Sequence, residues 1–283
     1  MMKLTRHLFA WSPQPQYMDY YERLLFNHRM GTIDPETGTT AYFLPVGGGY
    51  SKIFAKPFDS FWCCSGTGAE EFAKLTDSIY FHDANSVYVN LYVASDLNWP
   101  EMGIRLSQKT SFPEEQGSTI TVSAAKPVDI DLKLRIPYWA KGGSIKINGR
   151  AMPAFADAGS YLVLRGPWTN GDRLELSLPM HLHAAPMPDN EGLQAVMYGP
   201  LVLAARFEVE PREKWYRHYR AQTKQEPSPS LQFKGKIDDP ASWIQPGSGS
   251  LEFGAVSQGR PLAFVPLSSI LHERYFVYHE VRS

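Results

Sequence analysis

Cysteine is nearly absent: the 283 residues contain two, the neighbours Cys63 and Cys64. One adjacent pair cannot build the disulfide framework that staples small secreted domains. A bridge between the two is itself strained, because bridged cysteines want Cα atoms roughly 4.4–6.8 Å apart and neighbours across a trans peptide sit at about 3.8 Å. Excess charge of one sign is also missing, with 28 Lys and Arg against 29 Asp and Glu and a formal net charge of −1. Neither nucleic acid nor an anionic membrane surface is then an expected partner, since each recruits a basic excess. No run reaches the roughly 18 apolar residues of a membrane span. The stretch Met1-Met2-Lys3-Leu4-Thr5-Arg6-His7-Leu8-Phe9-Ala10-Trp11 does not read as a secretory signal, because charge interrupts its apolar residues. Repeats and low-complexity tracts are missing too. Hydrophobic content of 43% and charged content of 20% are those of a globular chain, and the length allows two domains. The 15 Tyr, 15 Phe and 7 Trp suit sugar faces and β-sandwich cores equally well.

The pattern predicts an α+β chain that is mostly β. Leu4, Leu8 and Trp11 fall at helical spacing with no capping residue before them, as in a helix already under way at residue 2. A second helix is expected over about 17–30, closed by Gly31, and a third from Thr67, turning Phe72, Leu75 and Ile79 inward. From about residue 86 the period becomes two, with Val87, Val89, Leu91 and Val93 alternating with Tyr88, Asn90 and Tyr92. Further strands are expected at 119–124, 130–136, 144–147, 161–164, 174–178 and 195–204, with hairpin signals at Asn148-Gly149 and Asn170-Gly171. Short strands with regular turns argue for an antiparallel β-sandwich. The chain thus divides into a helix-and-loop region over 1–85, a β-sandwich over 86–205, a charged, Pro-containing linker or surface excursion over 206–230, and a C-terminal β region over 231–283.

Chemistry concentrates at the cysteines. Two small buried residues, a strained vicinal disulfide, or two thiolates on one metal at Zn–S distances of about 2.3 Å all fit adjacent cysteines. Phe61-Trp62-Cys63-Cys64-Ser65-Gly66-Thr67-Gly68 places the thiols in a loop just before the expected helix, whose free N–H groups would lower a thiol pKa. A deprotonated, positioned sulfur is a nucleophile. Glu70 is the nearest carboxylate and has two readings, a catalytic group or the closing member of a Thr67-x-x-Glu70 capping box. Glu71 reads as a solvated helix charge. His28, His82 and the pair His181 and His183 are possible ligands that equally suit ordinary core or surface positions. Tyr42 and Trp62 could face a sugar or pack.

The cysteine segment, continuing through Glu70, Ala73-Lys74 and Asp77-Ser78-Ile79-Tyr80-Phe81, resembles that of glycoside hydrolase family 127, which includes β-L-arabinofuranosidases. Similar strings are Leu4-Thr5-Arg6-His7-Leu8-Phe9, Asp34-Pro35-Glu36-Thr37-Gly38, Leu134-Arg135-Ile136-Pro137-Tyr138-Trp139-Ala140 and Tyr198-Gly199-Pro200-Leu201-Val202. The resemblance implies a helical (α/α)6 toroid, of which residues 1–85 would be the C-terminal remnant, followed by β-sandwich domains. It implies a retaining mechanism in which Cys63 is nucleophile and zinc ligand, Cys64 is a second zinc ligand, and the substrate is a carbohydrate. A further Cys and two Glu, one a zinc ligand and one the acid/base, would lie upstream in the family. The chain is therefore expected to be the C-terminal part of a longer enzyme, holding half of a zinc site and inactive alone. Two other readings compete: a non-catalytic carbohydrate-binding β-sandwich protein, and a zinc or redox module using the vicinal thiols. The particular sugar, the oligomeric state and the compartment stay open.

Overall fold

In the computed structural model, residues 1–58 and 60–282 are described. Contacts group the chain into two units that interleave along the sequence, residues 1–22 with 74–180 and residues 23–73 with 181–283. Regular structure before residue 74 comprises helices α1 (Met2–Trp11) and α2 (Pro15–Arg23), a π turn Leu24–Arg29, the short strand β1 (Tyr50–Ser51) and helix α3 (Cys63–Ala73). The rest is mostly β, as the sequence indicates.

The first unit carries β2 (Tyr80–His82), β3 (Ser86–Val89), β4 (Ser95–Trp99), β5 (Ile104–Lys109), β6 (Gly117–Ala124), β7 (Asp131–Ile136), β8 (Ser144–Ile147), β9 (Arg150–Ala151), β10 (Ser160–Arg165) and β11 (Arg173–Ser177). They form a four-stranded sheet, β10-β7-β3-β2, and a six-stranded sheet, β4-β5-β6-β11-β8-β9. Ile104 and Leu106, Ile120 and Val122, and Leu174 and Leu176 alternate into the core from the larger sheet. The smaller sheet departs from the expected pattern in two ways. Its β3 and β7 run parallel, so the fold is not wholly antiparallel. All of β3 is also buried, Tyr88 included, because the strand lies inside its sheet and Phe9 of α1 packs on Tyr88 (ring centroids 5.7 Å apart). The strand ends at Val89 instead of continuing to Val93, and Gln108 donates through Nε2 to Leu91 O (3.0 Å) and Val93 O (2.8 Å).

Helix α2 is fastened to this unit by charge. The fully buried Arg135 of β7 donates to Asp19 and Glu22 (2.5 Å each) and to Asn90 O (2.7 Å), while Trp139 Nε1 donates to Glu22 (2.9 Å). The string around Arg135 is therefore structural in this fold.

The second unit adds β12 (Leu182–Met187), β13 (Asn190–Tyr198), β14 (Leu201–Val209), β15 (Leu231–Lys234), β16 (Gln245–Pro246), β17 (Phe253–Ser257), β18 (Arg260–Pro266), β19 (Glu273–Phe276) and β20 (Tyr278–Arg282). With β1 they form one ten-stranded sheet along the path β15-β20-β13-β14-β18-β17-β16. Its core gathers Val196, Leu203, Phe233, Phe264 and Phe276. The single strand expected over 195–204 is a hairpin instead, with Tyr198 opposite Leu201. Gly199 supplies the positive φ (53°), and Pro200 cannot donate to a ladder. Asn27 locks this turn, donating to Pro200 O (2.7 Å) and accepting from Val202 N (2.6 Å). It also donates to Arg23 O, the carbonyl one turn back (2.8 Å), which accounts for the π turn where an uninterrupted α-helix to residue 30 is expected.

The segment 206–230 begins as the end of β14 and then folds back onto its own unit. Tyr216 donates to Asp34 (2.6 Å), Trp215 stacks on His272 (3.8 Å between centroids), Gln222 donates to Ser51 O (3.0 Å), and Ser228 N donates to Gly48 O (2.7 Å).

Candidate active site

Cys63 and Cys64 form the first turn of α3, not a loop ahead of it. Trp62 O accepts from Ser65 N (3.0 Å) and Gly66 N (3.4 Å), which starts the helix four residues earlier than the sequence suggests. Ser, Thr and two Gly in 65–68 are poor helix formers, and packing overrides them. The capping-box reading falls with this: Thr67 and Glu70 both lie inside α3, where the Thr67 position is no longer a helix terminus. Glu70 sits seven residues beyond Cys63, about 10 Å further along the axis.

The two sulfurs are 3.8 Å apart, with Cys63 exposed and Cys64 half-buried. Burial pushes the Cys64 thiol above its ordinary pKa, hydrogen bonding and charge from Cys63 push the same way, and Arg29 opposes them. The expected lowering of a thiol pKa is thus not realised at Cys64. Arg29 is itself buried, bonded to Thr32 Oγ1 (2.9 Å), with its guanidinium 5.6 Å from the Phe72 ring centre.

An aromatic wall stands beside Cys63. The Tyr42 hydroxyl neighbours the Cys63 thiol, which is the leading cause of its raised pKa. Tyr42 stacks on Tyr219 (4.2 Å, 18°), and Trp62 meets Tyr219 edge-on (5.1 Å). His218 lies over Tyr219 (4.5 Å), and its Nδ1 accepts from Arg220 N (3.2 Å), which leaves the proton of the neutral ring on Nε2. Such a wall offers flat apolar faces with polar edges next to a potential nucleophile. Tyr42, Trp62, Cys63 and Cys64 are therefore brought together. His218 and Tyr219 escape the sequence reading because they lie in the stretch assigned to the linker. The aromatic density of Trp215-Tyr216-Arg217-His218-Tyr219, unusual for a linker, is the signal that points to them.

The remaining candidates do not join the site as a metal set. His82 packs near Trp99 (4.6 Å), and His183 Nδ1 contacts His181 O (3.2 Å). No group of three His, Cys, Asp or Glu that could hold a metal occurs among the described residues. The sulfurs alone fit zinc in part: two bonds of about 2.3 Å at a tetrahedral angle set sulfurs roughly 3.8 Å apart, leaving the other two positions to other donors.

Comparison with known proteins follows the same lines. Residues 1–77 match the family model for the β-L-arabinofuranosidase GH127 catalytic domain, and residues 86–180 that for the GH127 middle domain. No curated protein matches. Among solved structures, one named glycoside hydrolase superposes with a TM-score of 0.78 at 18% identity, over 100% of this chain and 51% of its own. A GH127 β-L-arabinofuranosidase from Geobacillus stearothermophilus gives 0.73 at 20% identity, over 98% of this chain and 48% of its own. A GH127 β-arabinofuranosidase gives 0.76 at 20%, over 99% and 48%. These likenesses establish a shared fold, and the chain spans about half the length of each of those structures. With two adjoining models of one family matched in order across the helical region and the first β region, the chain belongs to glycoside hydrolase family 127.

Proposed function

We propose that this chain supplies the nucleophile of a retaining, zinc-thiolate glycosidase that cleaves arabinofuranoside-type bonds, with helices α1–α3 belonging to a helical toroid. The observation that carries the reading is the Cys63–Cys64 sulfur separation of 3.8 Å beside the Tyr42, Trp62 and Tyr219 rings. Cys63 is the exposed member and is the nucleophile; Cys64, half-buried behind it, is the second sulfur donor. Zinc bound by both would keep the thiols deprotonated at neutral pH. Cys63 sulfur attacks the anomeric carbon, the glycosidic C–O bond breaks, and the departing oxygen takes a proton from a general acid that this chain's described residues do not identify. Water, giving its proton to the conjugate base of that acid, then displaces the sulfur and restores the thiolate, so two inversions retain configuration, with sulfur in the role of the second carboxylate of the usual retaining pair. Tyr42, beside Cys63, orients the sulfur, and the Trp62–Tyr219 wall receives a sugar face.

Cobalt(II) titration tests the reading without requiring turnover. Thiolate-to-metal absorption should appear, weaken in Cys64→Ala and Cys63→Ala, and vanish when both are replaced. With two sulfur donors from this chain, zinc affinity should be low and turnover of an aryl arabinofuranoside undetectable. No thiolate–metal band, or a reversible Cys63–Cys64 disulfide as the stable state, would favour the redox module instead.

A further inference from the structure

A cavity in the second unit, lined by none of the residues around the thiols, lies between the outer edges of β15 and β17 and measures about 920 Å³. Ser257 Oγ donates to Gln232 O (2.8 Å) across the two edges, and β17 pairs on that side with the two residues of β16. Gln232, Lys234, Trp243, Gln245, Gln258 and Arg282 contribute to the lining, which holds two cations and no carboxylate among its described residues. Arg282 is bonded to Glu280 (2.7 Å), and Gln232 lies 3.3 Å from the same carboxylate. Lys234 has no ion pair among the described residues. Trp243 is 9% exposed, and its Nε1 has no hydrogen-bond partner among those residues.

A second observation comes from the backbone. Gln258 and Gly259 form the two-residue turn between Ser257 and Arg260, both at positive φ (50° and 81°). Such a turn favours Asn or Asp at its first position, as Asn148-Gly149 shows with φ of 51° and 78°. Glutamine has no such ease in the left-handed region, and strain of this kind collects at binding sites. Gln258 lines the cavity.

We propose that this cavity binds a carbohydrate bearing a carboxylate, separately from Cys63 and Cys64. Gln232 and Gln245 each donate once within the protein, to Glu280 (3.3 Å) and Ala241 O (3.0 Å), and their remaining amide N–H and carbonyl oxygens, with the Gln258 amide, form the donor-and-acceptor pattern that matches sugar hydroxyls. Lys234, whose charge no carboxylate among the described residues offsets, selects the anion. The volume suits a ligand of about two or three sugar rings. The choice of a sugar over another polyhydroxylated anion rests on the glycosidase reading above.

Calorimetric titration of the 283-residue chain with trigalacturonate, and with its methyl ester, tests this at low salt without metal. The acid should bind about tenfold more tightly than the ester. Gln258→Gly should raise the melting temperature, because glycine accepts positive φ, yet weaken binding by about fivefold or more. Lys234→Glu should abolish the preference for the acid, and Cys63→Ala should leave binding unchanged. The proposal is overturned by absence of binding, by equal affinity for acid and ester, by wild-type affinity in Gln258→Gly or Lys234→Glu, or by loss of binding in Cys63→Ala. Failure of the zinc-thiolate reading would show separately, in the cobalt titration.

Discussion

The Tyr216 hydroxyl donates to the Asp34 carboxylate at 2.6 Å, joining the segment that carries His218 and Tyr219 to the loop that precedes Tyr42. Burial raises the Asp34 pKa, but hydrogen bonds from Tyr216, Thr37 and Glu36 N outweigh it and hold the group below 3.8. Burial, and after it the same contact, pushes Tyr216 up to about 12. Tyr216→Phe should cost about 1 kcal/mol at neutral pH. A depressed carboxyl stabilises the fold above its unfolded pKa and loses that contribution as pH falls through the folded value. The deficit of the variant should therefore shrink below about pH 4, a trend urea unfolding at several pH values would reveal. Thiol-reagent labelling of Cys63 should also quicken as the wall loosens.

His279 is fully buried among Phe233, Trp243 and Phe264, with neither ring nitrogen partnered among the described residues. Burial lowers its pKa from 6.5 to about 3, so it is held neutral. Its contribution to stability is complete above pH 6.5 and is lost progressively as pH falls towards 3. His279→Leu should flatten the stability profile across that window. An unchanged slope in denaturant titrations would exclude this origin of acid sensitivity.

Arg135 balances two buried carboxylates. Burial pushes Asp19 and Glu22 up, and the guanidinium pulls both back. Arg135→Met should cost about 3–5 kcal/mol, while replacing all three charged residues with apolar ones should recover most of the loss. With Arg135 gone the carboxyls bind protons more tightly in the fold than in the unfolded chain. The variant should therefore gain stability as pH is lowered from neutral, the reverse of the Asp34 trend. Thermal unfolding of the single and triple variants separates the two contributions.

Gly68 lies in mid-helix, where alanine normally gains about 1 kcal/mol. Here an added Cβ would stand 2.8 Å from Thr40 Cγ2. Gly68→Ala should therefore destabilise the protein and shift α3 with its thiols. Adding Thr40→Ser, which removes that methyl, should restore the loss. If Gly68→Ala alone raises the melting temperature, the seating of α3 on Thr40 is looser than this contact indicates.

Much of the β region was legible because its determinants are local. Strands β6, β7, β8, β10 and β11 fall within a residue or two of the apolar alternation, and Asn148-Gly149 turns where its dipeptide says it should. Legibility failed where a distant group intervened. Asn27 meets Pro200 and turns a helix end into a π turn, and Gly199-Pro200 divides an apolar run into two strands. Sequence spacing contains neither event, because each depends on a partner more than a hundred residues away or on a backbone sign that apolarity does not encode.

By itself, the sequence determined the family, the dominance of β structure and the proximity of the two thiols, since adjacency of Cys63 and Cys64 is covalent. Only the tertiary structure decided what surrounds them. It set the sulfurs 3.8 Å apart on the first helical turn and brought Tyr42, Trp62, His218 and Tyr219 to Cys63. The reason is one of range. Covalent neighbours fix which atoms can react, but the walls of a site are assembled by burial and hydrogen bonding between segments whose order in the chain gives no measure of their distance.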